Sequence, residues 1–263
     1  MVISNHQMLG NNKNSFNHLK IHTQYSICEG ALKIEDLKNF CKKNKVQSVG
    51  LSDTSNLCGA LEFAENLSKV GTQPIIGTQI NFKYKEMIGL IPLFAMNISG
   101  YKRIIELSSK SYLENDGLTE PHCDFSELTK NNTGISIFSG TIDGLIGKLF
   151  NKGKYQDIIE IYSSLKSNYK NRFYIEIQRH GDANEKAFEK YNLQKSNDLD
   201  IPIIATQEVF YLDKEMYDAH DALICIGNKT YVNEKNRKRF TNQHYLKSDT
   251  EMSELIFFES LLK

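Results

Sequence analysis

Short apolar runs separated by stretches of helical spacing constrain this chain more than any other feature. Candidate strands are 17–22, 47–52, 74–81, 90–96, 134–139, 172–178 and 202–206. Between them, Ile34, Leu37 and Cys41 recur at spacings of three and four, as one face of a helix requires. Leu57, Leu61 and Ala64 mark a second such face, and Ile104, Leu107 and Ser108 a third, while 154–168 and 184–199 also read as helices. Strand–helix alternation predicts an α/β fold with parallel pairing and helices outside the sheet. Seven strands suffice for a closed or nearly closed barrel, whose functional groups gather at the C-terminal strand ends.

Composition narrows the classes. The 263 residues are 40% hydrophobic, enough for a core, yet no run of about 18 apolar residues exists to span a membrane. The start, MVISNHQMLGNNKNSFN, lacks an apolar signal core, so residues 1–15 read as a disordered extension and 16–263 as the domain. Five scattered cysteines without CxxC spacing predict buried, unpaired thiols in a reducing cytoplasm. Zero net charge gives no footprint of an autonomous DNA binder. Residues 114–124 read as a loop, and Ser248 with Glu251 as a capping box opening a helix through Leu255, Ile256 and Leu262. No GxGxxG, GxxxxGK[ST] or GxSxG motif occurs.

Residues 16–30, FNHLKIHTQYSICEG, hold the sharpest chemical signal. Side chains alternate along a strand, so Lys20 and His22 share a face. Two histidines so placed would begin a metal site, but an ammonium has no lone pair to offer. This segment resembles the PHP domain (polymerase and histidinol phosphatase) that opens the alpha subunit of bacterial DNA polymerase III. LSDTSNLCGALEF, QPIIGTQINF, LFAMNISGYKRIIELSSKSY, YIEIQRHG, PIIATQEVFYL and DAHDALICI resemble the same family in the same order, over roughly residues 16–258.

The resemblance implies a distorted seven-stranded β/α barrel and, in metal-binding members, a three-metal cluster held by His, Asp and Glu. Carried over, it puts Lys20 where a histidine is expected, then His22 as expected, and Glu29 for an aspartate. Thr54, after Asp53, stands for a histidine, Gln79 for a glutamate, Leu90 for a histidine and Thr141 for a cysteine. Glu208 and Phe210 stand for the closing Asp-x-His. Six of these nine positions are poor or impossible ligands. The expectation is therefore a vestigial pocket with no metal and no cofactor in this domain.

The resemblance further implies that the chain is the N-terminal part of a longer DNA-directed DNA polymerase, whose missing module would use Mg2+ and hold the DNA. The domain itself would be architectural, docking the proofreading exonuclease and other holoenzyme subunits, with no membrane partner. The alternatives are a live metal-dependent phosphoesterase or 3'-5' exonuclease with an altered ligand set, and a stand-alone binding module. Within the pocket, Lys20 is expected to neutralise Glu29, Asp53 and Glu208, with Leu90 and Phe210 filling volume. His22 reads as a hydrogen-bonded strand-end histidine or a residual ligand. Asp53 reads as an orienter of the turn before the helix at 57, and His220 with Asp221 as a capped helix start. Glu176 and His180 read as packing and hydrogen-bonding residues. His6, His122 and His244 carry no motif.

Overall fold

The computed structural model describes residues 16–115 and 117–256. The expected extension over 1–15 and the helix position Leu262 lie outside them. Among the described residues, nine strands form one sheet: β1 Lys20–Ile21, β2 Ser48–Thr54, β3 Gln73–Tyr84, β4 Met87–Ala95, β5 Cys123–Asp124, β6 Ile135–Phe138, β7 Phe173–Ile177, β8 Ile203–Ala205 and β9 Glu208–Val209. Their order is β8-β7-β6-β4-β3-β2-β1-β9, with β5 beside β3. All seven expected strands are present, and the two additions, β5 and β9, are two residues each.

The strand order curls the sheet. β8 and β9 sit at opposite ends of it, yet only Thr206 and Gln207 separate them in sequence. Two linking residues span no more than about 10 Å, so the two edges must face each other across a nearly closed barrel. Thr206 N donates to Ile177 O (3.0 Å), holding the crossing close to β7.

Pairing is not all parallel. β4 runs antiparallel to both β3 and β6. The link from β3 to β4 is only Lys85-Glu86, with Lys85 at φ 53°. A two-residue loop can join antiparallel strands but cannot make a crossover.

Among the described residues, eight α-helices lie outside the sheet: α1 Ile34–Asn44, α2 Ala60–Ser68, α3 Ile98–Leu113, α4 Leu145–Asn151, α5 Tyr155–Tyr169, α6 Glu185–Leu199, α7 Tyr217–Asn228 and α8 Asp249–Ile256. α1 buries Ile34, Leu37 and Cys41 as its spacing predicts. α2 turns a different face inward: Ala60, Phe63 and Leu67 are buried while Leu61 is exposed. Phe63 offers the larger apolar area, and that sets the rotation. α3 buries Ile104 and Leu107, with Ser108 only half-buried. The capping box forms: Ser248 N donates to Glu251 Oε2 (2.9 Å) and Glu251 N to Ser248 Oγ (3.4 Å). One core packs β3, β4, β6 and β7 against α3–α6, and a second packs β1 and β2 against α1 and α2. All five cysteines are free; Cys41, Cys123 and Cys225 are buried, but Cys28 and Cys58, on the loops after β1 and β2, are exposed.

Candidate functional site

Lys20 is fully buried in β1, opposite Glu208 in the parallel ladder with β9. Its Nζ lies 3.2 Å from Glu208 Oε1 and 3.4 Å from Glu176 Oε1. These are charge contacts; neither has the alignment of a hydrogen bond. Burial pulls the ammonium's pKa down, but Glu176 and then Glu208 outweigh it and leave it raised. Burial likewise pushes the Glu208 carboxyl up, and Lys20, His22 and Gln79 hold it well below the usual carboxylate range.

His22, on the same face as Lys20, lies with Nε2 3.1 Å from Glu208 Oε1. Gln79 Nε2 donates to that oxygen (2.6 Å) and sits 2.9 Å from His22 Nε2. Glu176 Oε1 also accepts from Gln178 Nε2 (2.9 Å) and from Thr206 Oγ1. The inner pocket is thus one ammonium, two carboxylates, an imidazole and two amides.

The other acids are committed elsewhere. Glu29 stands at the outer edge, accepting from Thr54 Oγ1 (2.5 Å) and lying 3.9 Å from His22 Nδ1. Asp53 is fully buried and accepts from Thr23 N (2.6 Å), Thr23 Oγ1 (2.8 Å) and Ser26 Oγ (2.7 Å). It therefore ties down the loop after β1, not the turn before α2. That loop is tight: a Cβ on Gly30 would fall 2.0 Å from Thr23 O. Contrary to the sequence expectation, Lys20 neutralises Glu208 and Glu176, not Glu29 and Asp53. The reason is register, since β1 pairs with β9 at Lys20 and Glu208 while Asp53 faces donors that already satisfy it.

Phe210 is buried, its ring 4.5 Å from that of His22. Leu90 is half-buried on β4, opposite Asn81. Thr141 borders a small cavity shared with Glu176 and Gln178. Among the described residues, no hydrogen bond or ion pair joins Leu90 or Thr141 to Lys20.

Two residues of the site carry no motif that marks their roles: Glu176, which pairs with Lys20, and His244, which contacts Glu208. A glutamate inside the apolar run FYIEI must find a partner if it is buried, and that was the available signal. His180 and His244 stack at 4.0 Å with planes 3° apart. Glu208 N donates to His180 Nε2 (3.2 Å), and His244 Nδ1 donates to Glu208 O (3.1 Å). The pair braces both backbone groups of Glu208. His180 Nδ1 faces Glu185 Oε1 (3.3 Å), and His244 Nε2 faces Asp182 Oδ2 (3.5 Å). His180, Asp182 and His244 bring three possible ligand atoms within 4.8 Å of one another. Burial, then the neighbouring His244, pushes His180 down to about 4, outweighing Glu185. His220, whose Nε2 lies 2.9 Å from Glu29 O, is also pushed down to about 4 by burial. It sits inside α7, which begins at Tyr217, and Asp221 receives both arms of Arg237 (2.7 and 2.5 Å), so neither is a helix cap.

A curled sheet with outer helices and a polar pocket at its strand ends defines a distorted β/α barrel. The PHP domain family profile matches residues 18–180. The chain belongs to the PHP domain family. Among curated relatives, the DNA polymerase III subunit alpha of Caulobacter vibrioides is 33% identical over 253 residues, covering 91% of this chain and 22% of the relative. The subunit of Borreliella burgdorferi is 33% identical over 255 residues, covering 92% and 22%. That of Rickettsia conorii is 35% identical over 241 residues, covering 91% and 20%. The chain thus spans about a fifth of the length of these relatives. Two solved structures share the fold. One, described as a metal-dependent phosphoesterase from Bifidobacterium adolescentis, superposes with a TM-score of 0.55 at 10% identity, covering 95% of this chain and 99% of that one. The other, a two-domain protein from Bacteroides vulgatus with a PHP-like metal-dependent phosphoesterase, gives 0.50 at 11% identity, covering 90% and 61%.

Proposed function

We propose that residues 16–263 are the PHP domain of a DNA polymerase III alpha subunit, and that this domain is a metal-free scaffold. The observation that carries this reading is the buried Lys20 ammonium between Glu176 and Glu208. A divalent cluster there would have to form against a fixed positive charge, with Leu90, Thr141 and Phe210 contributing no strong donor. The His180–Asp182–His244 group fits one ion no better. Imidazole lone pairs lie in the ring plane, so two parallel rings do not converge on a point between them. His180 Nε2 is already taken by the Glu208 amide, which leaves Nδ1 protonated toward Glu185. Without activated water, phosphoester hydrolysis has no nucleophile.

The parent chain, on this reading, is a cytoplasmic DNA-directed DNA polymerase whose Mg2+ and DNA sites lie in other modules. Among the described residues no helix is long and apolar enough to cross a membrane. The domain's own partner is the proofreading exonuclease subunit, an assignment made by family analogy. Gel filtration of this chain mixed with that exonuclease from the same organism, both at tens of micromolar, is expected to give a joint peak. Two separate peaks from folded components would remove the scaffold role.

A further inference from the structure

Residues 229–241 run from the end of α7 past Phe210 with turns and bends but no helix or strand. Their outer side chains, 231–236, are exposed. Few contacts hold the segment as far as Thr241; beyond that the chain is anchored, since His244 and Tyr245 are buried, Phe210 N donates to His244 O (2.9 Å) and Tyr245 bridges Tyr211. Arg237 pairs with Asp221 of α7 through a buried two-armed bridge. Lys238 reaches Asp143, on the loop after β6, at 2.9 Å, but both are more than half exposed. Such exposed pairs are weak. Thr241 Oγ1 donates to His180 O (2.7 Å), and Tyr217 Oη to Phe240 O (3.1 Å). The main apolar contact is Phe240, whose ring centre lies 4.9 Å from Phe210, 5.1 Å from His244 and 5.8 Å from His220. Phe210 in turn touches His22 on its inner side. One ring therefore joins the segment to the charged pocket.

We propose that residues 229–241 are a strap latched by Phe240 on Phe210, which opens as a unit while the sheet and the anchored His244 and Tyr245 stay folded. A segment with one buried ion pair, one ring anchor and no ladder of its own has a lower opening free energy than β2 and β3, which pair over seven consecutive residues. Opening gives solvent and ligands access to His22, Glu29 and Glu208. The proposal does not depend on whether that pocket ever holds a metal.

Hydrogen exchange of the full chain, followed by mass spectrometry, tests it. In the wild type, peptides within 229–241 are expected to exchange faster than peptides within 48–84. Phe240→Ala should accelerate 229–241 by roughly tenfold or more and leave 48–84 unchanged. Arg237→Gln, which keeps the ring anchor and removes the buried pin, should accelerate the same peptides. The strap is overturned if 229–241 exchanges only in step with 48–84, or if neither variant changes it.

Discussion

Lys20→Met is expected to destabilise the domain by about 3–5 kcal/mol near neutral pH, the usual cost of stripping one partner from a buried ion pair. Methionine fills a similar volume, so the loss is electrostatic. Glu176 is 2% exposed and the Glu208 side chain 12%, so neither carboxylate can turn to water. The pH dependence separates this cause from lost packing. In the wild type the Glu208 pKa is depressed, so its contribution is present above the ordinary glutamate pKa and fades as pH falls through the lower folded value. The raised Lys20 pKa adds stability that is complete below the ordinary lysine pKa and is lost only as pH rises through its folded value. Without Lys20 the Glu208 carboxyl loses the charge that does most to hold it low, and its protonation on acidification relieves the stranded charge. The gap between variant and wild type should therefore narrow from pH 8 to pH 5, read from urea midpoints. A constant gap points to packing alone, and no gap removes Lys20 from the account.

Asp53→Ala is expected to cost about as much, roughly 3–5 kcal/mol, through a different mechanism. Three donors converge on this carboxylate, two from Thr23 and one from Ser26, all in a buried loop. Alanine leaves each without an acceptor. The loop also carries Glu29 and packs Gly30 against Thr23, so its loosening should reach the pocket rim. Asp53→Asn keeps one acceptor and should fall between. Chemical denaturation measures both. An alanine variant within about 0.5 kcal/mol of wild type would mean the loop holds itself.

The barrel was legible because each strand is a short apolar run and each helix carries its own spacing. Two features escaped for physical reasons. The antiparallel placement of β4 is decided by a two-residue loop, Lys85-Glu86, whose left-handed Lys85 lacks the Asn-Gly signature that advertises such turns. The rotation of α2 is decided by what Phe63 can bury, which helical spacing alone does not rank. In the pocket, the shared face of Lys20 and His22 follows from period two, and Glu208 joins them. The partners of Lys20 depend on strand order, which no local pattern gives. Hence local pattern gives Glu176 its packing and hydrogen bonds but not its ion pair with Lys20, points Asp53 toward the turn before α2 instead of the loop after β1, and does not mark His244, which braces the Glu208 carbonyl.

Elemental analysis of the chain, purified without chelator and incubated with zinc and with manganese, bears most directly on the central claim. If the Lys20 ammonium serves as the counter-ion of the pocket, zinc and manganese should remain far below one ion per chain after desalting. One or more tightly held ions per chain, lost on substituting His22 or Glu208, would contradict it and restore the metallo-phosphoesterase reading.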